Sequence, residues 1–78
     1  MNVVLLASQS REQFDAKYIE CMTDEGNLTI LPGHDAAMYV LAPKSQIILH
    51  GTDGVTTERG IERGVLEVSR EEVLIVVG

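Results

Sequence analysis

The chain has one cysteine, Cys21, and so can close no disulfide within itself. A small secreted scaffold stapled by disulfides is excluded, and a reducing compartment is compatible. Basic residues are scarce. Lys17, Lys44, Arg11, Arg59, Arg63 and Arg70 stand against 12 acidic residues, for a net charge of −6 and a pI near 4.6. Phosphate backbones are bound through clustered Lys and Arg, so nucleic-acid binding and direct attraction to an anionic lipid surface are both disfavoured. Long apolar runs are missing too. The longest is Ala36–Ala42, far short of the roughly 20 residues that cross a bilayer as a helix. The opening Val3-Val4-Leu5-Leu6-Ala7 has no basic residue before it and is short for a signal peptide. Membrane association is therefore expected only through a protein partner.

The usual carriers of chemistry are equally thin. No G-x-G-x-x-G or G-x-x-x-x-G-K-[ST] string is present, and the glycines at 51, 54, 60 and 64 read as turn and bulge residues. Two histidines, one cysteine and dispersed carboxylates at no recurring spacing do not make a metal site. His34-Asp35 would be a general base with its orienting carboxylate only if both pointed the same way, and neighbours on a strand do not. Cys21 sits in an apolar stretch with no nucleophile signature around it, and reads as a buried, inert thiol rather than a partner for His34 or His50. No cofactor is expected. An interaction module fits better than an enzyme.

What is present is a series of short apolar runs between frequent turn signals. In 78 residues there is room for one small domain spanning 1–78. The runs Val3–Ala7, Tyr18–Met22, Leu28–Leu31, Met38–Ala42, Gln46–His50, Val55–Glu58, Val65–Val68 and Val73–Val77 have strand length. They are separated by Asp24–Asn27, Pro32-Gly33, Pro43, Gly51–Gly54 and Ser69–Glu72. The pattern predicts an all-β, two-sheet antiparallel sandwich or flattened barrel of about 8–10 short strands. One stretch is ambiguous. Ser10–Gln13 has the form of a helical capping box, and Phe14, Tyr18 and Cys21 recur at helix spacing. A helix over 11–22 and a turn followed by a strand fit it equally.

Sandwich strands with one wet face should alternate apolar and polar residues. Met38–Leu41, Ile47–Leu49 and Val73–Val77 do not. Either a neighbouring subunit covers their outer face, or they lie at an edge bent into the core. The acidic pairs Asp24-Glu25 and Glu71-Glu72 read as solvated turns, or as an acidic tip that meets a polar or basic partner.

The string Asp24-Glu25-Gly26-Asn27-Leu28-Thr29-Ile30-Leu31-Pro32-Gly33-His34 resembles the hallmark of the epsilon subunit of F-type ATP synthases, called delta in mitochondria. Further segments fall in register with that family. Val3-Val4 and Phe14 resemble its opening strand and Phe-Glu-Gly turn. Tyr39–Pro43 resembles its Ala-Leu-Lys-Pro-Gly strand end, Arg63–Val68 its Gly-Gly-x-Leu-Glu-Val, and Val73–Val77 its last sandwich strand. The departures are local. Asp35–Met38 stands where the family has Ala-Pro-Leu-Leu, Asp15-Ala16 follows Phe14, Lys44 replaces the Gly after Pro43, Arg63 the first Gly of its pair, and Asn27 an acidic tip residue.

The resemblance implies a non-catalytic rotor subunit in the central stalk. Such a subunit links the gamma subunit to the membrane c-ring and couples ion flow to ATP synthesis. The expected site is peripheral, on the cytoplasmic face of a bacterial inner membrane or an equivalent energy-coupling membrane. It implies c-ring contact through Asp24, Glu25 and Asn27, and gamma contact through His34, Asp35, Met38 and Tyr39. It also implies a strand over Lys17–Thr23. The family's C-terminal helical hairpin, which restrains ATP hydrolysis in many bacterial members, has no counterpart in this sequence. A naturally short member is expected. The alternative is a free-standing sandwich that binds an unknown protein partner.

Overall fold

The computed structural model describes residues 1–78, and every regular element in it is a strand: β1 (Asn2–Ala7), β2 (Ser10–Thr23), β3 (Gly26–Ile30), β4 (Ala37–Leu41), β5 (Ser45–Gly51), β6 (Thr56–Ile61), β7 (Gly64–Val68) and β8 (Glu72–Val77). The expected sandwich is present, and its two layers share β2. The first half of β2 pairs with β1, from Asn2↔Asp15 to Ala7↔Ser10. That layer continues through β8 and β7 to β4. The second half of β2 lies between β3 and β5, with β6 beyond β5. The layers join again where Thr23 pairs with Leu41 and the Ala42 N–H donates to the Met22 carbonyl at 2.8 Å.

The sheet is not wholly antiparallel. β1 and β8 run parallel, Asn2↔Glu72 through Leu6↔Val76. Parallel neighbours need a long crossover, and here the rest of the chain supplies it.

The ambiguous stretch is one continuous strand of 14 residues: the strand expected over Lys17–Thr23 is present, it begins earlier, at Ser10, and no helix forms. Ser10–Gln13 forms no cap; it is the return arm of a hairpin whose loop is Ser8-Gln9. The helical spacing of Phe14, Tyr18 and Cys21 does not reflect a shared face. A bulge between Ala16 and Tyr18 inserts one residue into the pairing with β5. Inward residues therefore run Ala16, then Ile19 and Cys21, changing parity at Lys17. Phe14 and Cys21 face the core while Tyr18 faces out against His50, so their helix-like spacing marks no single face.

The turns are built as their residues demand. Leu31-Pro32-Gly33-His34 is a type II turn: Pro32 occupies the second position, Gly33 has φ 85°, and the His34 N–H donates to the Leu31 carbonyl at 3.1 Å. Pro43-Lys44 places a non-glycine residue at φ 53°. Gly64 opens β7 where a Cβ would lie 2.9 Å from the Val76 carbonyl oxygen, which explains the glycine at the head of Gly64–Val68.

One cluster of 14 buried residues fills the space between the layers. Val3, Ile19, Ile30, Ile47, Leu49, Leu66, Val73 and Ile75 are its most enclosed side chains, each contributing about 1.5–3 kcal/mol by leaving water. At the rim, Glu12 of β2 takes a two-point contact from Arg59 of β6, Nη2–Oε1 2.6 Å and Nε–Oε2 3.2 Å. These strands end their respective layers, so the pair ties one layer to the other. The hydrogen bonds from Arg59 hold the Glu12 carboxyl below its ordinary range, and those to Glu12 raise the guanidinium further.

Candidate functional site

The acidic tip is the hairpin between β2 and β3. Thr23 pairs with Gly26, leaving Asp24-Glu25 as the loop. The Thr23 hydroxyl holds this turn from within. It donates to the Gly26 carbonyl at 2.9 Å and accepts the Glu25 N–H at 3.1 Å. Gly26 takes φ 121°, a region closed to most side chains. The carboxylates of Asp24 and Glu25 and the amide of Asn27 are exposed, and none is spent on a hydrogen bond within the chain. The tip is thus a rigid turn with free polar ends.

His34, Asp35, Met38 and Tyr39 divide between two surroundings. The His34 ring Nδ1 lies 2.7 Å from the Asp35 carbonyl oxygen, not its carboxylate, so the two do not form an acid–base pair. The ring Nε2 is 3.4 Å from the Tyr39 hydroxyl, with the rings edge to face at 6.0 Å. With Nδ1 donating to the carbonyl, Nε2 accepts from the phenol. Tyr39 itself points inward against the core. Met38 points the other way and is 65% exposed.

Met38 leads to an apolar face of the sandwich. Tyr39 and Leu41 on β4, Leu66 and Val68 on β7, Val73 and Ile75 on β8, and Val3 and Leu5 on β1 face inward. The residues between them face out. Read across the registers, one outward row is Met38, Glu67, Leu74, Val4, with Val4 itself buried at 5% exposure; the next is Val40, Val65, Val76, Leu6. Met38, Val40, Val65 and Val76 are exposed at 65%, 59%, 38% and 46%. A polar border runs along one side, where Gln13 donates to Asn2 at 2.9 Å and Asn2 to Glu72 at 3.1 Å. An exposed apolar face bordered by polar residues has features of a protein interface. β8 lies between β1 and β7, so its two apolar faces do not come from an edge bent into the core; its outer face is bare.

The opposite face of the sandwich is different. Ile48 is the only outward member of Ile47–Leu49, and it stands between Glu20 and Glu58. Beside it His50 stacks on Tyr18 at 4.0 Å between ring centroids and contacts Glu20 through Nε2 at 2.6 Å. The β5 run is therefore not a second greasy flank.

The tip and the apolar face are neighbours. Thr23, Asp24, Glu25, Asn27 and Leu28 line one cleft with Met38, Tyr39 and Val40. The sequence offered no sign of this, because the adjacency comes from the single Thr23↔Leu41 bridge. The outward residues Val40, Val65, Val76 and Leu6 were also missed as site residues, although the non-alternating runs of β4 and β8 were the signal for two of them. Cys21 is buried, which pushes its thiol up to about 11. Neither imidazole hydrogen-bonds it.

The family model described as ATP synthase, Delta/Epsilon chain, beta-sandwich domain matches residues 2–78. The chain is 31% identical over 61 residues to the ATP synthase epsilon chain of Corynebacterium efficiens, a match covering 78% of this chain and 49% of that protein. It is 28% identical to the corresponding chain of Corynebacterium diphtheriae, over 78% of its own length and 50% of the relative's. It thus spans about half the length of the curated relatives it matches. Among solved structures, a chain in the central stalk and c-ring of the Tetrahymena thermophila mitochondrial ATP synthase superposes with a TM-score of 0.84 at 25% identity, covering 99% of this chain and 62% of that one. A chain of the Euglena gracilis mitochondrial ATP synthase gives 0.83 at 22% identity, over 96% and 48%.

Proposed function

From the premise that the chain belongs to the delta/epsilon family of ATP synthase β-sandwich domains, we propose that it is a non-catalytic element of the central stalk that carries rotation between the membrane rotor ring and the gamma subunit. The observation that carries this reading is the outward apolar face of β4, β7, β8 and β1, centred on Val40, Val65 and Val76 and edged by Asn2, Gln13 and Glu72. A permanent partner covers such a face, since lasting interfaces are larger and more apolar than transient ones. Gamma is that partner. Met38 is its contact from the 34–39 segment, with His34, Asp35 and Tyr39 setting the border of the contact.

The β2–β3 hairpin, presenting Asp24, Glu25 and Asn27, grips the polar loops of the c-ring. The chain then sits at the membrane only through its partners, on the cytoplasmic side of a bacterial inner membrane or the equivalent side of another energy-coupling membrane. No bond chemistry falls to it.

Co-expression with the gamma subunit of the same synthase tests the reading. A complex that survives purification and raises the melting temperature is expected, because a partner that binds only the folded state stabilises it by mass action. Val40→Asp, at an exposed position, should leave the isolated chain folded and abolish the complex. No complex at micromolar concentration, with both chains folded, would favour a free-standing module with another partner.

A further inference from the structure

We infer that Glu67 is the specificity charge of the apolar face, and that the partner surface it meets is apolar with one arginine or lysine set opposite this carboxylate. The inference rests on the reading of that face as the gamma-docking surface. Glu67 is exposed in the middle of β7 and points outward. Its cross-strand neighbours on that side are Met38 on β4 and Leu74 on β8. Val65, two residues earlier on its own strand, continues the apolar surface towards Val40 and Val76. Glu67 makes no ion pair and no side-chain hydrogen bond within the chain. The polar network of this face, Arg11–Gln13–Asn2–Glu72, lies at the rim and does not include it.

Docking an apolar surface over these rows would strip water from the carboxylate. An ionised group desolvated without a partner is strongly unfavourable, so the face tolerates Glu67 only if the incoming surface brings the counter-charge. Charge complementarity then acts chiefly on choice of partner and register. It also decides against two other occupants. A second copy packed through the same face by a two-fold axis would bring a like charge to its centre, while the one cation of that face, Arg11, stands at the rim against Gln13. An anionic membrane would meet Glu67 and a chain of net charge −6.

The test compares wild type, Glu67→Gln, Glu67→Lys and Val40→Asp for binding to the co-expressed gamma subunit, with thermal melts of each isolated chain to show that it is folded. The expected result is about a tenfold loss for Glu67→Gln and a hundredfold or greater loss for Glu67→Lys. Reversal of a single gamma arginine or lysine should restore binding to Glu67→Lys. If Glu67→Lys binds within twofold of wild type while Val40→Asp does not bind, the inference is wrong and the docking reading stands. If Val40→Asp also binds like wild type, the docking reading itself is wrong. A stable dimer of the chain alone, dissociated by Val40→Asp and competing with gamma, would overturn the inference by giving the face to a second copy.

Discussion

Backbone conformation at one position separates this chain from the usual form of its family. Lys44 adopts φ 53° in the turn that the family closes with Pro-Gly. A side chain in the left-handed region costs about 1–2 kcal/mol, and glycine gives back about 0.5–1 kcal/mol through its freedom in the unfolded chain. Lys44→Gly should therefore stabilise the domain by up to ~1 kcal/mol, read as a rise of a few degrees in the melting midpoint. Gly33→Ala, at φ 85° in the Pro32-Gly33 turn, should lower it. The sequence comparison marked Lys44 as a departure, but only the dihedral angle tells what the departure does.

The elements were legible to different degrees, for identifiable reasons. β4, β5, β7 and β8 follow the apolar runs because each has an inward row of Leu, Ile or Val. The first half of β2 did not announce itself, since Ser10–Gln13 is polar and lies at the end of its layer. The bulge at Lys17 then disguised the rest by shifting its parity. The end of β6 was hidden in the same way, because Arg59-Gly60 carries no apolar signal, and Val55, read as strand, sits exposed in the turn before it. The parallel β1–β8 pair joins residues some seventy positions apart, for example Asn2 and Glu72, and no local pattern reports it. Of the tip residues, Asp24 and Glu25 form the turn, and Asn27 stands beside it on β3, paired with Met22. The apolar face came from alternation failing in β4 and β8.

The Glu12–Arg59 link gives a pH dependence at this scale. Glu12 titrates lower in the folded chain than its ordinary value of 4.5. Its contribution is thus whole above about that pH and is lost as pH falls through the lowered folded value. Glu12→Gln should melt below wild type at neutral pH, by no more than a few degrees because the pair is partly exposed. The two melting curves should converge in acid. Equal separation of the curves at pH 7 and pH 3 would show that the carboxylate charge is not what matters.

For the whole molecule, a body with extents of 27 × 25 × 18 Å carries a charged turn and a bare apolar face that meet at one cleft. Asp24→Lys together with Glu25→Lys should uncouple ATP hydrolysis from ion pumping in the assembled synthase, measured as retained ATPase with several-fold reduced pumping in membrane vesicles. Binding to gamma should fall no more than a few-fold, since the turn borders the face without forming its centre. A loss of gamma binding equal to that of Val40→Asp would show that turn and face are a single contact.

The sharing of β2 between the layers has a mechanical consequence. On the proposed stalk reading, a load taken up at Asp24-Glu25 would enter Thr23 and pass back along one unbroken run of covalent backbone to Ser10, where the ladder with β1 anchors it beneath the apolar flank. On that reading, torque would travel through peptide bonds and hydrogen-bond ladders rather than through slippable side-chain contacts. Lys17, at the bulge in the pairing with β5, would then be where any elastic give is concentrated.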